Sequence, residues 1–492
     1  MGAVTPSCEL HAAFTIHTTW KATIPPCGDT CLIIAHASSQ TDLFMRIAAI
    51  ANRLDRSHPI ALTLWAMLAA FVTYFCMYAF RKPFTVVKYE GLLIGGLDFK
   101  VVLLFAQVGG YALSKLIGIK VISELSPRRR AVMILSLIAV SHLALLLYAV
   151  VPYSLKPICL FFNGLPLGMV FGCVFAYLEG RRVTEALAAG LCASFIMASG
   201  SVKSVGAMLM EYQQVSPFWM PFVTGALFWV PLLLGVWMLE QLPPPSELDI
   251  SARSPRTPFN GEERGRFFSR YALGICALVL VMVLLTVFRS IRDDYATEIW
   301  SGFGVERPEI FAISETWVAV VAVLLSAITV LIPGNYRAFQ VSMGIIAVSF
   351  ASAFGTTLFW WNTPEWTEAT AFLYMVQIGI CLYVPYVLFH TTVYERAVAL
   401  LKEKSNAGYL LYLGDCAGYF CTIFMMILFH LISPESVDFK GLLFKLAVVI
   451  SPASIALAAV VALYFRKQGS SFPMETIEHP LPETTVPTGV TP

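Results

Sequence analysis

Charged residues are scarce in this chain of 492 residues, because Asp, Glu, Lys and Arg make up 13% of it and hydrophobic residues 58%. Soluble domains contain about 25% charged residues, so the composition excludes a soluble enzyme and indicates an all-α membrane protein. The formal net charge of +2 and the dispersed basic residues give no support for a nucleic-acid partner, whose footprint would be a dense basic stripe.

Motifs for metals, cofactors and ATP are also lacking. Cys27 and Cys31 have no second Cys or His pair with which to form a zinc site. No Walker loop is present, so ATP-driven pumping is not expected. A membrane-embedded lipid or prenyl transferase needs clustered acids to hold magnesium on a diphosphate, and only Asp293, Asp294 and Glu298 offer such a cluster. The chain is therefore predicted to be neither an enzyme nor a cofactor-binding protein.

The two ends of the chain differ from its middle. Residues 1–44 contain no signal-peptide pattern, and sequence typical of a membrane-associated helix begins at Met45, so translation from Met45 is one interpretation of the start. We predict that residues 1–59 form a cytoplasmic segment, poorly structured in part. Residues 468–492 are rich in Pro, Thr and Glu and are predicted to be a disordered cytoplasmic tail.

Twelve apolar stretches have the length of about twenty residues that a membrane-spanning helix needs. We number them spans 1 to 12, at 60–88, 98–121, 130–151, 157–178, 187–210, 218–239, 270–292, 309–332, 338–360, 369–394, 406–431 and 441–465. A Pro-rich and charged linker, 240–269, separates spans 6 and 7. The sequence therefore predicts two six-helix bundles, 60–239 and 270–467.

Basic residues gather in alternate loops. They are Arg46, Arg53 and Arg56 before span 1, Arg128–Arg130 after span 2, Arg181 and Arg182 after span 4, and Arg337, Lys402, Lys404, Arg466 and Lys467 in the second half. The positive-inside rule assigns these loops to the cytoplasm, so both termini and the linker are predicted cytoplasmic in a multi-pass protein of the inner or plasma membrane. We expect a monomer whose partners are the bilayer and a small solute.

A weak internal repeat relates the halves, since Phe80-Arg81 near the end of span 1 corresponds to Phe288-Arg289 near the end of span 7. Internal repeats of this kind are typical of secondary transporters, which bind their substrate between the repeats near the middle of the membrane. The repeat thus directs attention to Arg81 and Arg289.

Ionisable residues inside the spans cost roughly 2.5–3.5 kcal/mol each and normally face the interior of a helix bundle. The cations are Arg81, Lys82, Lys115, Lys203, Arg289 and Arg292, and the acids are Glu315 and Asp415. Because the cations outnumber the acids, an anionic solute is the simplest ligand. The guanidiniums of Arg81 and Arg289 suit a phosphate or carboxylate, with which they make bidentate hydrogen bonds.

Several of these residues have alternative interpretations. Arg81 and Arg289 could instead extend to water at the outer interface, and this is the favoured interpretation for Lys82. Arg292 and the two aspartates that follow it are predicted to be a solvated cluster at the end of a loop. Lys203 could supply a third positive group or extend outward.

The remaining titratable residues divide into two kinds. Asp415 could be a proton site or one half of a structural ion pair. His142, His390 and His430 are predicted to be packing or interface residues rather than ligands.

Several segments resemble one transporter family. Tyr78–Phe84 resembles the Tyr-x-x-Arg-Lys-x-Phe signature in the first helix of organophosphate:phosphate antiporters of the major facilitator superfamily. Gly110–Gly118 resembles that family's Tyr-x-x-Ser-Lys-x-x-x-Gly segment, and Arg289–Asp294 is similar to its Arg-x-x-x-x-Asp. Glu315 and Gly418-Tyr419 also match. The best fit is to a bacterial branch of the superfamily with no assigned substrate.

The resemblance implies a secondary active transporter that moves an organophosphate or carboxylate-like anion by alternating access. The implied roles are Arg81 and Arg289 as phosphate ligands, Lys115 and Glu315 as charges for binding and coupling, and Tyr78, Tyr111 and Tyr419 as hydrogen-bonding walls. Asp415 and Lys203 are added as candidate coupling or ion-pair residues. A non-transporting sensor on the same scaffold is the alternative. The family's helix-5 histidine is missing, because span 5 has Ser194 about where it would stand.

Overall fold

The computed structural model describes residues 47–123, 125–181, 183–247, 249, 261–401, 407–432 and 438–470. The predicted start at Met45 and nearly all of the predicted tail lie outside the described residues. So do Arg46, Arg182, Lys402 and Lys404 among the loop cations.

The first half of the chain is helical apart from one short hairpin. Its elements are a helix at Ala48–Asp55, span 1 at Pro59–Met77 with 3-10 turns at Tyr78–Phe80 and Pro83–Val86, β1 at Leu93–Ile94, β2 at Leu97–Asp98, span 2 at Phe99–Ser123, span 3 at Arg130–Val150, span 4 at Lys156–Leu178, span 5 at Thr184–Tyr212, and span 6 as two helices, Met220–Leu227 and Trp229–Glu240. β1 and β2 pair antiparallel, with Leu93 opposite Asp98.

The second half follows the same plan. Its helices are span 7 at Gly261–Asp294, a short helix at Ala296–Gly302, span 8 at Ile310–Val330, span 9 at Asn335–Trp360, span 10 at Glu368–Leu388 with a π-helical segment Phe389–Val393 and a helix Tyr394–Leu401, span 11 at Ala407–Ile432, and span 12 at Phe439–Ser470. Within the described residues, eleven helices are long and apolar enough to cross a membrane. The bent pair of span 6, with an angle of 43°, brings the number to twelve.

Two spans end or begin away from their predicted positions. The helix of span 1 ends at Met77, although apolar sequence continues to residue 88. Pro83 has no N–H to donate and disfavours helical backbone at the residue before it, so the chain continues in 3-10 turns. Span 7 begins at Gly261, before the predicted residue 270, and its backbone is kinked at Tyr271.

Small residues allow the helices to pack closely. Within the first half, span 4 packs on spans 2 and 3, and within the second half span 7 packs on spans 11 and 12. Between the halves, span 5 packs along span 8, and span 2 along span 11. A Cβ on Gly200 would collide with the carbonyl oxygen of Phe311 and the side chain of Glu315. Close approach at small residues is the usual way in which membrane helices associate.

Substitution of Gly200 tests this contact between the halves. Gly200→Ala forces the span 5 and span 8 backbones apart, and we expect a loss of about 1–3 kcal/mol of stability from overpacking. Gly344→Ala is the matched control, because nothing lies within 4 Å of the Cβ it adds and a helical Gly→Ala change gains about 0.5–1 kcal/mol. Thermal unfolding of the purified variants in detergent measures both, and equal melting temperatures would contradict the close contact.

Candidate functional site

Besides Lys100 at the start of span 2, which pairs with Glu298, ten charged side chains of the described residues are buried in spans 1, 2, 5, 7, 8 and 11. They are Arg81, Lys82, Lys115, Lys203, Arg289, Arg292, Asp293, Asp294, Glu315 and Asp415, none more than 8% exposed. We call them the buried charge cluster. Asp293 and Asp294 belong to it because span 7 stays helical up to Asp294 and keeps both carboxylates inside the protein. The prediction that they form a solvated loop end is therefore wrong.

Lys82 joins the two halves and does not extend to water, so that prediction is wrong as well. Its ammonium pairs with Asp294 and with Asp293, at 2.6 Å from the Asp293 carboxylate. The turns after Met77 carry Lys82 inward toward span 7 instead of along the axis of span 1. Lys203 of span 5 also points inward and lies 2.6 Å from Oδ1 of Asp293.

Asp293 is the centre of this network. Besides the two lysines, it accepts a hydrogen bond of 2.5 Å from the hydroxyl of Ser199 in span 5. Ser194 instead donates to the carbonyl of Leu191 in its own helix. The polar contact of span 5 with span 7 is thus made by Ser199 and Lys203.

Two further ion pairs complete the cluster. Arg292 pairs with Glu315 of span 8 at 2.8 Å and donates to the carbonyl of Met375 in span 10. It is 1% exposed, so its predicted place in a solvated loop is wrong. Lys115 of span 2 pairs with Asp415 of span 11 across the halves. Asp415 therefore takes part in an ion pair, the second of its two predicted roles.

Arg81 and Arg289 are the two cluster cations without a carboxylate partner among the described residues. The guanidinium carbon of Arg81 lies 3.8 Å from the centre of the Tyr111 ring, and that of Arg289 lies 4.5 Å from the centre of the Tyr386 ring. Both are buried, with exposures of 5% and 7%, so neither extends to the interface. The Nε atom of each has no hydrogen-bond partner in the described part of the chain.

Two amide side chains hold the backbone at Arg81. Because the helix of span 1 has ended, the carbonyls of Phe80 and Arg81 need partners from elsewhere. Asn163 of span 4 donates to the Phe80 carbonyl at 2.9 Å, and Gln107 of span 2 donates to the Arg81 carbonyl at 2.7 Å. Gln107 also donates to Asn163. These polar residues in apolar spans are a signal that the sequence analysis did not use.

Two small cavities adjoin the unpaired arginines. One is lined by Arg81, Lys82, Arg289 and Asp294, the other by Tyr111, Lys115, His390 and Asp415, and Tyr78, Arg289 and Tyr419 line both. Each has room for about one or two water molecules in this conformation. Seven candidate residues thus line the cavities: Tyr78, Tyr111, Tyr419, Lys115, Arg81, Arg289 and Asp415. Lys203 and Glu315 do not line them and form ion pairs instead.

The histidines take different places. Trp229 donates to Nδ1 of His142 at 2.8 Å, and Nε2 of the same ring lies 3.0 Å from the carbonyl of Phe222, as expected of a packing residue. His390 packs against Phe195 of span 5 and Tyr386 of its own helix, as expected of a packing or interface residue, and it also lines the second cavity beside Asp415. The side chain of His430 lies outside the described part of the structure.

Contacts between the halves close the site toward both ends of the bundle. At the end opposite the linker, Lys100 pairs with Glu298 at 2.5 Å and Lys88 donates to Ser301 at 3.1 Å. At the linker end, Arg396 pairs with Glu185 at 3.1 Å. The described conformation is therefore occluded, with the arginines enclosed between two sets of contacts.

Comparison with known proteins identifies the fold. The model of a family of unknown function, DUF5690, matches residues 83–468. None of the curated proteins matches the chain. The similar solved structures are transporters of major facilitator type, and the fold is accordingly that of an all-α membrane protein with twelve transmembrane helices in two six-helix bundles.

Three of these structures illustrate the similarity. The nucleoside transporter NupG has a TM-score of 0.53 at 14% identity, over 83% of this chain and 98% of NupG. The xylose transporter XylE from E. coli, in an inward-open conformation, has a TM-score of 0.51 at 13% identity, over 83% and 96%. A POT family transporter in complex with 5-aminolevulinic acid has a TM-score of 0.53 at 13% identity, over 84% and 97%.

Removal of the amide at Gln107 tests its support of Arg81. Gln107→Leu leaves the buried Arg81 carbonyl without its donor, which costs about 1–3 kcal/mol, and we expect a lower melting temperature in detergent. Gln377→Leu is the matched control, because it makes the same change of side chain at another glutamine. The hydroxyl of Ser352 that accepts from Gln377 can rotate to another partner. A Gln107→Leu protein as stable as this control would show that the carbonyl needs no side-chain donor.

Removal of one acid tests the network around Asp293. Asp293→Asn leaves Lys203 without a carboxylate, and breaking a buried pair costs about 3–5 kcal/mol, so the melting temperature should fall steeply. Glu368→Gln breaks the pair with Arg307, in which both side chains are about half exposed, and such pairs are worth about 1 kcal/mol or less. Similar small shifts in both variants would contradict the burial of the cluster.

Proposed function

We propose that this chain, which belongs to the family of unknown function DUF5690, is a secondary active transporter of a small anionic solute. The observation that carries the proposal is the pair of buried guanidiniums, Arg81 and Arg289, that face cavities between the halves without a carboxylate partner among the described residues. Burial of an uncompensated charge is costly, so an anion is the ligand that would best offset it.

The charge of the site specifies the kind of anion. Six cations and four acids leave the buried charge cluster with two positive charges. A phosphate monoester carries about −1.5 to −2 charges at neutral pH, which matches that excess. Each guanidinium offers a planar fork of donors that fits two oxygens of a phosphate or carboxylate. The similarity of the span 1, 2 and 7 motifs to organophosphate:phosphate antiporters agrees with this chemistry.

The contacts between the halves support alternating access as the mechanism. Polar contacts join the halves at both ends of the bundle, around Lys100–Glu298 and around Arg396–Glu185. Breaking one set while the other persists would open the cavities to one side only. We further propose an inner or plasma membrane location, with both termini cytoplasmic and a monomer as the transporting unit.

Conservative substitution of the arginines tests the proposal. Arg81→Lys and Arg289→Lys keep the charge but lose the fork, and a lost charge-assisted hydrogen bond costs about 1.5–3 kcal/mol, roughly tenfold or more in affinity. We expect phosphate uptake by each variant to be about tenfold lower than that of wild type, or lower still. Uptake is measured in proteoliposomes that contain internal phosphate, and folding is checked by gel filtration.

Arg130→Lys is the matched control, because Arg130 donates to the carbonyl of Ala176 outside the cavities and uptake should persist. Undiminished uptake in both arginine variants would overturn the mechanism. Phosphate binding by the purified wild-type protein without flux in either direction would instead indicate a sensor.

Asp293, Asp294 and Glu298 are each paired with a lysine, which speaks against a magnesium-dependent transferase.

A further inference from the structure

His390 lies in the π-helical segment of span 10, a distortion that is frequent at functional sites. Its Nδ1 atom is 2.8 Å from the carbonyl oxygen of Tyr386. A carbonyl oxygen only accepts hydrogen bonds, so Nδ1 must carry a hydrogen and donate it. In the neutral ring, Nε2 is then left without a hydrogen and acts as an acceptor.

The bare Nε2 atom faces a second acceptor. Oδ1 of Asp415 lies 3.5 Å away from it. The other oxygen of Asp415 is taken by Lys115, whereas Oδ1 is buried and has no hydrogen-bond partner in the described part of the chain. The separation exceeds the usual hydrogen-bond range of about 2.7–3.2 Å. Nε2 and Oδ1 are thus two buried acceptors that face each other without a hydrogen between them. One proton bound to Nε2 would allow it to donate to Oδ1.

His142 is a histidine whose two ring nitrogens both have hydrogen-bond partners. Its Nδ1 accepts from the indole N–H of Trp229, so its Nε2 carries the hydrogen and donates to the carbonyl of Phe222. Both nitrogens are satisfied in the neutral ring. Of these two histidines, only His390 has a ring nitrogen that faces a second acceptor.

Few other charges face the pair. The titratable groups around it are Tyr74 and Tyr78 from span 1, Tyr111 and Lys115 from span 2, Cys192 from span 5, Arg289 from span 7, Tyr386 and Tyr394 from span 10, and Tyr412, Cys416 and Tyr419 from span 11. Tyr and Cys side chains are ordinarily neutral at pH 7. Lys115 and Arg289 are thus the charged neighbours, and Lys115 already neutralises Asp415.

We propose that His390 and Asp415 form a proton-binding site and that its protonation is coupled to binding of the transported anion at Arg289. The second part rests on the proposed function. A proton on His390 adds a positive charge to the cavity that Arg289 also lines, so it attracts an anion there. By linkage, the anion must favour protonation to the same extent. Proton and anion would then be carried together.

Protonation of His390 would also affect the ion pair between Lys115 and Asp415, which joins the halves. Asp415 and His390 belong to the second half, and Lys115 to the first. A protonated His390 competes with Lys115 for the Asp415 carboxylate and weakens that bridge. Protonation would therefore change the balance between occluded and open conformations as well as the affinity for the anion.

Proton uptake on binding tests the linkage. Inorganic phosphate is titrated into the purified full-length protein by calorimetry at pH 7–8, in two buffers of different ionisation enthalpy. Wild type should take up more protons per phosphate bound than His390→Gln, by up to one proton, and comparison at one pH cancels the protonation of phosphate itself. His142→Gln should match wild type. Equal uptake by wild type and His390→Gln, with both binding phosphate, would overturn the linkage.

A measurement without phosphate tests the proton site itself. In protein with isotope-labelled histidine, the ring resonance absent from His390→Gln should change position as protons are added. In Asp415→Asn the same resonance should respond less readily to added protons, because a carboxylate stabilises the imidazolium. Lys115→Met/Asp415→Asn, which removes both charges, serves if the single variant does not fold. A resonance indifferent to the loss of Asp415 would overturn the site. A wild type that binds no phosphate would remove the proposed function and the linkage, but not the site.

Discussion

The organisation of this protein follows from the cost of burying charge within a membrane-spanning bundle. Each ion must be offset by an opposite charge or by a ligand. The buried charge cluster meets this requirement for four cations, since Lys82, Lys115, Lys203 and Arg292 all reach carboxylates. Arg81 and Arg289 instead lie against tyrosine rings, which offer weaker compensation. The two arginines that the internal repeat relates are thus the two cluster cations without a carboxylate partner among the described residues, as the proposed anion site requires.

The halves present these arginines by different backbone arrangements. Span 7 stays helical through Arg289 and satisfies its own carbonyls. Span 1 stops being α-helical at Met77, and the carbonyls of Phe80 and Arg81 depend on Asn163 and Gln107. A membrane tolerates such a break only where neighbouring helices supply donors. The break carries Lys82 toward Asp293 and Asp294, so the same irregularity that makes span 1 short also connects the halves.

The sequence was sufficient for the spans and for singling out Arg81 and Arg289 as intramembrane cations, which the structure shows to be buried, because long apolar runs and rare intramembrane cations are visible without a structure. It was insufficient for Lys82, Arg292 and the two aspartates of span 7. Hydropathy falls at charged residues whether a helix ends there or continues into a polar interior, so buried acids resembled a loop. The proton site proposed at His390 is not visible in the sequence for another reason, since it depends on which ring nitrogen faces Tyr386 and which faces Asp415.

The distribution of charge between the halves links ligand binding to movement. The four cluster residues of the first half are all cations, Arg81, Lys82, Lys115 and Lys203, whereas the second half contributes Arg289 and Arg292 together with all four acids. The first half is therefore strongly positive at the interface and the second half negative, so separating them to open a cavity breaks attractive pairs. An anion held by Arg81 would reduce the positive charge of the first half and with it the attraction that opposes separation. Under the proposed function, a site with excess positive charge would both attract an anion and become easier to open once the anion has bound.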